Sequence, residues 1–322
     1  MWLKFGVDKN NTLVAISDVP SGKTNLRCPY CGGLLVAKKG TIKEHHFAHS
    51  EETCYPVATK REVPTLPLYD NFHIQLSGKS LQLLKKLWQS FGENDWGIPF
   101  LPELPPLFKA GVIRKNPYRQ PASYEFTDLG KIPMGMLDLV KFNQLQEPLL
   151  LKKLSEFERK AELAKVIQKL NLPERLVDLQ LYRAQLRNIL LARLYYLKIK
   201  ADDITLLKIG ITKRMMPERL VEIQHDLRSH YQNIEISVLG TWEHRGNVEL
   251  YFKHKYKRFN YPIDSLTEYY KFPRRDDAKA ALEDLRQMQP KELNSIERDI
   301  IANGNSSIAI ALIPLRSVAR VP

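Results

Sequence analysis

The sequence predicts a mixed α/β (α+β) chain built from several small domains. Three observations lead there. All three cysteines and three of the eight histidines fall within 27 residues near the N-terminus, among short alternating segments. Leucines at three- and four-residue spacing dominate the middle. Past residue 193, two strand-like runs are followed by two amphipathic helical stretches. At 322 residues the chain is long enough for two or three cores. The expected organisation is a β-rich module over 1–62, a mixed domain over 68–146, a helical connector over 147–192, a small α/β domain over 193–290 and a tail over 291–322.

Residues 1–19 alternate apolar and polar (Leu3, Phe5, Val7; Leu13, Ala15) around Asp8-Lys9-Asn10-Asn11, which signals a hairpin. Cys28-Pro29-Tyr30-Cys31-Gly32-Gly33 follows, then a second hairpin turning at Lys39-Gly40, then His46-Phe47-Ala48-His49 and Cys54. A structural zinc takes four S or N ligands in a tetrahedron. Cys28, Cys31 and Cys54 with His49, or with His46 in its place, fill that set and leave no odd thiol. Zn2+ here would fold a hairpin too small to hold a core of its own. A redox C-x-x-C pair would leave the histidines and Cys54 unused. The segment is similar to the zinc-binding N-terminal region of CoiA-like competence proteins, which carry C-P-x-C, a hairpin, H-F-A-H and a later cysteine. The E-S-x-x-H stretch that opens the nuclease-like domain of those proteins is missing here. The module is shared and the downstream enzyme differs.

Val63-Pro64-Thr65-Leu66-Pro67 reads as a linker. Ser80–Phe91 has the apolar face of an amphipathic helix, and a proline-interrupted helical piece covers Leu101–Ala110. G-V-I-R-K-N (111–116) and Y-E-F-T-D-L-G-K (124–131) read as two strands with a turn between them, and a helix begins near Met134. This order resembles winged-helix regulators of the MarR type, a likeness carried by L-F-K-A-G-V-I and Y-E-F-T-D-L-G-K. It implies a helix in the major groove, with Arg114, Lys115 and Arg119 on the wing as phosphate contacts. Pro102, Pro105 and Pro106 beside that helix speak against it, because proline interrupts helix interiors. A spacer with no DNA role is the plainer alternative. Residues 147–192 read as helices, with Pro173 at a helix start, and serve as a rigid connector or a homodimer seam.

Residues 194–272 carry L-Y-Y-L-K-I (194–199), L-K-I-G-I-T (207–212), E-R-L (218–220) and N-V-E-L (247–250). Four elements in this order resemble the GIY-YIG nuclease superfamily over about a quarter of the chain. The K-I-G-x-T spelling and the closing Glu268-Tyr269-Tyr270 are similar to a divergent, phage-rich branch. Lys208 stands where the second tyrosine belongs, and Lys253 where that branch often has a histidine, with His254 one residue on. Asn260 is the nearest counterpart of a late asparagine. The resemblance implies a DNA endonuclease using one divalent metal, Mg2+ or Mn2+, held by Glu249. It implies Tyr195 as general base and Arg219 as the phosphate-binding fork. Lys208 could lower the Tyr195 pKa or touch the phosphate, and His225 is the substitute base. In their plainest readings, Tyr195 is a packing residue, and Arg219, His225 and Glu249 are surface side chains. The other class of function is a DNA-binding regulator or scaffold whose nuclease-like domain is inactive.

With 49 Lys+Arg against 36 Asp+Glu the net charge is +13. That excess favours polyanions through counterion release without specifying sequence. DNA is the expected partner, and RNA is the second option. Residues 193–275 hold 16 basic and 10 acidic residues, and Lys253, Lys255, Lys257 and Arg258 suggest a basic face beside Glu249. No apolar run approaches the roughly 20 residues of a membrane span. The N-terminus does not read as a signal peptide, so a reducing cytoplasm is the expected compartment.

Overall fold

A computed structural model describes residues 3–40, 44–54, 57, 64–69, 71–118, 123–167 and 171–303. Val63, Arg119 and the apolar run Ile308–Ile313 lie outside the described residues. The chain divides into two compact units. The first comprises Met1–Leu66, Leu150–Leu190 and Leu293–Pro322; the second comprises Pro67–Leu149 and Leu191–Glu292.

Phe5–Val7 (β1), Leu13–Ala15 (β2), Gly22–Arg27 (β3), Leu34–Lys38 (β4) and His46–His49 (β5) form an antiparallel sheet in the order β2-β1-β3-β4-β5. The Asp8 carboxylate accepts from the Asn10 and Thr12 amides at 2.9 and 2.8 Å, closing the first hairpin as the sequence suggests. Leu3, Phe5, Leu26, Leu35 and Phe47 are buried, packed with Val177 and Leu181 of the same unit.

In the second unit, Gly78–Leu87 (α1) is capped by Ser77 and continues into a π turn over Trp88–Gly92. Pro105–Lys109 (α2) is shorter than the expected 101–110. Pro105 and Pro106 occupy its first turn, where a missing N–H costs nothing, so they start the helix and do not break it. Five residues nonetheless rise only about 7.5 Å, a short element for reading a groove. Ile113–Asn116 (β6) pairs with Ser123–Phe126 (β7), and Asp128–Lys131 (α3) follows under a Thr127 cap. Leu139–Val166 (α4) begins five residues later than Met134, after Gly135 takes a left-handed conformation. It runs unbroken through the boundary expected at 146/147 and contains Pro148. Leu172–Leu191 (α5) follows with Pro173 in its first turn.

Arg193–Ala201 (β8) and Ile204–Thr212 (β9) form a long hairpin, extended by Ile234–Trp242 (β10) and Tyr269–Tyr270 (β11) into an antiparallel sheet ordered β10-β8-β9-β11. Met216–Leu227 (α6), Val248–Lys255 (α7) and Arg275–Arg286 (α8) accompany it. Period-two alternation divides the sheet's side chains. Tyr195, Leu197, Ile199 and Leu206 pack with Ile223 and Leu227 of α6. Leu194, Tyr196 and Ile209 pack with Val248, Tyr251 and Phe252 of α7 and with Leu139 and Phe142 of α4. Ser295–Asn303 (α9) is helical where a tail was expected. Among the described residues no helix is long and apolar enough to cross a membrane.

The architecture is therefore mixed α/β with several antiparallel sheets, as the sequence predicts.

Candidate functional site

In the first unit, Cys28 follows β3 directly, Cys31 sits in the tight turn after it, His49 closes β5 and Cys54 follows. The turn requires a left-handed residue, which Gly32 supplies at φ 73°. Its amide donates to the Cys28 carbonyl at 2.8 Å, and the Gly33 amide points at Cys31 Sγ from 3.4 Å. The four ligand atoms all lie within 4.8 Å of one another. Cys28 Sγ is 3.9 Å from Cys54 Sγ, and Cys31 Sγ is 3.3 Å from His49 Nε2. A zinc tetrahedron with 2.3 Å bonds to sulfur has edges of about 3.8 Å, so these donors fit the ion. Hydrogen bonds to Cys31 and Cys54 push the Cys28 thiol up, while the same sharing pulls Cys31 down. Thiolates this close repel one another, and a zinc ion among them would offset that repulsion.

The choice between the two histidines is resolved. His49 faces the sulfurs, whereas His46 is buried with Nδ1 2.7 Å from the Glu44 carbonyl. The alternate ligand His46 therefore does not join the set, because β5 alternation turns its ring away.

In the second unit the sheet gathers a separate group. Tyr195 on β8 pairs with Gly210 on β9, and Leu197 pairs with Lys208, so Tyr195 and Lys208 share a face. A side chain at Gly210 would overlap the Tyr195 hydroxyl. That close approach is the physical reason for glycine in K-I-G. Arg219 on α6 donates from Nε to the Tyr195 hydroxyl at 3.2 Å and from Nη1 to Glu222 at 2.8 Å. Glu222 is also paired with Arg214. Glu249, in the first turn of α7, is paired at 3.0 Å with Lys253, four residues along the helix. Lys253 reaches Glu268 at 2.8 Å, and Lys208 reaches the other oxygen of Glu268 at 2.9 Å while lying 4.4 Å over the Tyr269 ring. Tyr195 and Arg219 form one hydrogen-bonded pair, and Lys208, Glu268, Lys253 and Glu249 one ion-paired chain; the two lie within electrostatic reach of each other as one polar cluster.

Burial sets its electrostatics. The Lys208 and Glu249 side chains are only 5% and 9% exposed. Burial lowers the Lys208 pKa against the pull of Glu268, and burial raises that of Glu249 against Lys253. Burial would raise Glu268 too, but Lys208 and then Lys253 outweigh it and hold the carboxyl at about 2. Burial pushes the Tyr195 phenol up to about 12, with Arg219 opposing. At neutral pH it is therefore a protonated hydroxyl.

Glu268 is the member absent as a site residue from the sequence reading, in which Lys253 is a nucleic-acid contact and not a partner of the carboxylates. The four-residue spacing from Glu249 places Lys253 on the same helix face. Glu268 has only its place in the closing Glu268-Tyr269-Tyr270 segment. Asn260 braces the chain on both sides of it, donating to the Thr267 carbonyl at 2.7 Å and the Tyr269 carbonyl at 3.0 Å.

Other expected positions are placed elsewhere. His225 is exposed on α6, and no side-chain hydrogen bond ties it to the cluster among the described residues. His254 is stacked on Phe72 and faces the Ile132 and Pro133 carbonyls, a packing position. The basic face expected beside Glu249 is not a continuous one. Lys253 is drawn into the cluster, and Lys255 turns to Asp284 at 2.7 Å and to the Leu137 carbonyl, because burying α7 demands partners for both ammoniums. Lys257 and Arg258 remain exposed, the latter over the Phe259 ring. Of the wing residues, Arg114 pairs with Glu125 at 2.5 Å and Lys115 is exposed.

Residues 11–55 fit the family model of the competence protein CoiA, N-terminal domain, a span that contains the whole cysteine–histidine set. No curated protein and no solved structure matches the chain.

Proposed function

We propose that this protein is a DNA-acting phosphodiesterase of the GIY-YIG type, with a zinc-stabilised N-terminal module that helps it engage DNA. The observation that carries the reading is the convergence of Tyr195, Lys208, Arg219 and Glu249, separated by up to 54 residues, on one polar cluster built on a β8–β9 hairpin. Packing does not need three cations and two carboxylates here, and burying charge is costly without a purpose. The match to a competence protein's N-terminal domain supports a DNA-associated role.

In this reading water attacks phosphorus in line with the departing 3′-oxygen. The new oxygen–phosphorus bond forms as the bond to the 3′-oxygen breaks, and the departing alkoxide takes a proton from solvent water. Arg219 and Lys208 offset charge on the non-bridging oxygens. Tyr195 would accept the water proton as phenolate, and because burial holds its pKa near 12, that form is scarce at neutral pH. Cleavage should therefore accelerate roughly tenfold per pH unit up to at least pH 9; a flat profile would remove Tyr195 as base.

The divalent metal that the resemblance implies would have to be held by Glu249. As the donors stand, Glu249 and Glu268 are both paired to Lys253, and Lys208 takes the remaining oxygen of Glu268. This set does not fit Mg2+ or Mn2+, and no step is derived through one. The same pairing favours a second reading, a DNA-binding protein with an inactive nuclease-like domain.

Incubating zinc-loaded, full-length protein with supercoiled plasmid, with and without Mg2+ or Mn2+, decides between them. Cleavage that falls about 100-fold or more in Arg219→Ala is expected. If both proteins bind DNA and neither cuts under any condition, the binding-protein reading replaces the phosphodiesterase.

A further inference from the structure

We infer that the Lys253 ammonium stands in for a divalent metal at Glu249, so that the cluster takes up a phosphodiester through Lys208, Arg219 and Lys253 alone. The substrate half of this inference rests on the phosphodiesterase reading; the metal half rests on geometry. Lys253 lies between the two carboxylates, 3.0 Å from Glu249 and 2.8 Å from Glu268. It projects from the same helix as Glu249, one turn on, so the backbone itself holds the pair together. A metal that took the Glu249 oxygen paired to Lys253 would have to displace the ammonium, and it would stand within electrostatic reach of Lys208.

Charge balance points the same way. Lys208 and Lys253 balance Glu249 and Glu268, while Arg219 is held by the Tyr195 hydroxyl and by Glu222, which Arg214 shares. A dication would add two positive charges to a set of ion pairs already balanced. The cluster is also open where a phosphate must enter. The Lys253, Arg219 and Glu268 side chains keep 26%, 26% and 31% of their exposure, while Lys208 and Glu249 form the floor.

The test is Mn2+ uptake by zinc-loaded, full-length protein, followed by electron paramagnetic resonance of the free ion, beside Lys253→Gln and Lys253→Arg. Wild type and Lys253→Arg should take up no Mn2+ that Glu249→Gln abolishes, while Lys253→Gln should gain such a site. Plasmid cleavage should proceed at the same rate with and without added Mg2+. Wild-type Mn2+ binding that disappears in Glu249→Gln overturns the inference and leaves the phosphodiesterase standing. So does a folded Lys253→Gln that still excludes Mn2+. Should Lys253→Gln fail to fold, wild type and Lys253→Arg still decide it by excluding or binding the ion. Exclusion by wild type and gain in Lys253→Gln, without cleavage of any DNA, upholds the lysine assignment and overturns the phosphodiesterase.

Discussion

The cysteine–histidine set and the charged cluster differ in how they are assembled. The first draws four donors from residues 28–54, placed by two short hairpins. The second draws six side chains from residues 195–268, carried by two strands, two helices and the segment entering β11. One is a local motif whose sulfurs need a cation; the other is a tertiary arrangement whose carboxylates are paired by its own lysines. A site completed from outside should collapse when its ion is withheld. A site completed from within should respond to the loss of any one side chain.

Removing the ion is the largest expected effect. Structural zinc supplies roughly 10–16 kcal/mol of apparent binding energy in small zinc-finger peptides. Cys31→Ser, or zinc removal by a chelator, should abolish stoichiometric zinc and release amide protection in β3, β4 and β5. Zinc analysis with hydrogen exchange reads both. Protection that persists without zinc would show that the sheet's own core, around Phe5, Leu35 and Phe47, suffices.

In the second unit the equivalent cut is Glu268→Gln, which leaves Lys208 and Lys253 without their shared carboxylate. Breaking one partner of a buried pair costs about 3–5 kcal/mol, less here because Glu268 keeps part of its exposure, so roughly 2–3 kcal/mol is expected. The pH dependence has a definite sign. Lys208 and Lys253 hold the folded-state pKa of Glu268 at about 2, below its ordinary 4.5. Its contribution is therefore complete above the ordinary value and lost as pH falls toward about 2. The stability gap between wild type and Glu268→Gln should be widest at neutral pH and close over that acidic window. A gap independent of pH would mean that the mutant is damaged by packing and not by charge.

The two sites also differ in how much of them the sequence discloses. Cys28, Cys31 and Cys54 are legible because ligand spacing is a local constraint, and only the alternation of β5 was needed to choose His49 over His46. The β8–β9 hairpin is legible from its apolar runs around Asp202, whose φ of 48° makes it a turn residue. β10 is less so: its burial alternates weakly, since Val238 and Leu239 break the pattern at a bulge opposite Leu197 and Tyr196. Glu268 is hardly legible at all. It becomes a site residue through the β9–β11 pairing, which sets Tyr269 opposite Lys208 and is fixed by tertiary structure. Residues 253–258 mislead for a related reason. A run of cations reads as a solvated face until one knows that α7 buries one side and turns two of the lysines inward.

Gly210→Ala tests the closest approach in the sheet. The added methyl would overlap the Tyr195 hydroxyl and ring, and overpacking of this kind costs about 1–3 kcal/mol. If Tyr195 yields by turning, its bond from Arg219 is lost, and cleavage should fall further than thermal stability. Stability that falls with activity unchanged would separate the glycine's packing role from the cluster.

The smallest effect belongs to the cysteine turn, and it asks whether the ion alone fixes that region. Tyr30, between the first two cysteines, is buried and donates its hydroxyl to Asp178 on α5 at 2.8 Å. Burial and the Asp178 charge both raise the phenol's pKa, so it stays a donor across the physiological range. Tyr30→Phe keeps the ring and deletes one hydrogen bond to a charged acceptor, worth about 1.5–3 kcal/mol at most. Arg175 lies 3.6 Å from the same carboxylate and remains to pair with it, so the lower end, about 1.5 kcal/mol, is expected. Zinc stoichiometry should be unchanged while the melting temperature drops by a few degrees. If zinc affinity falls as well, the turn is held by protein packing as much as by its ligands, and the contrast between an externally and an internally completed site narrows.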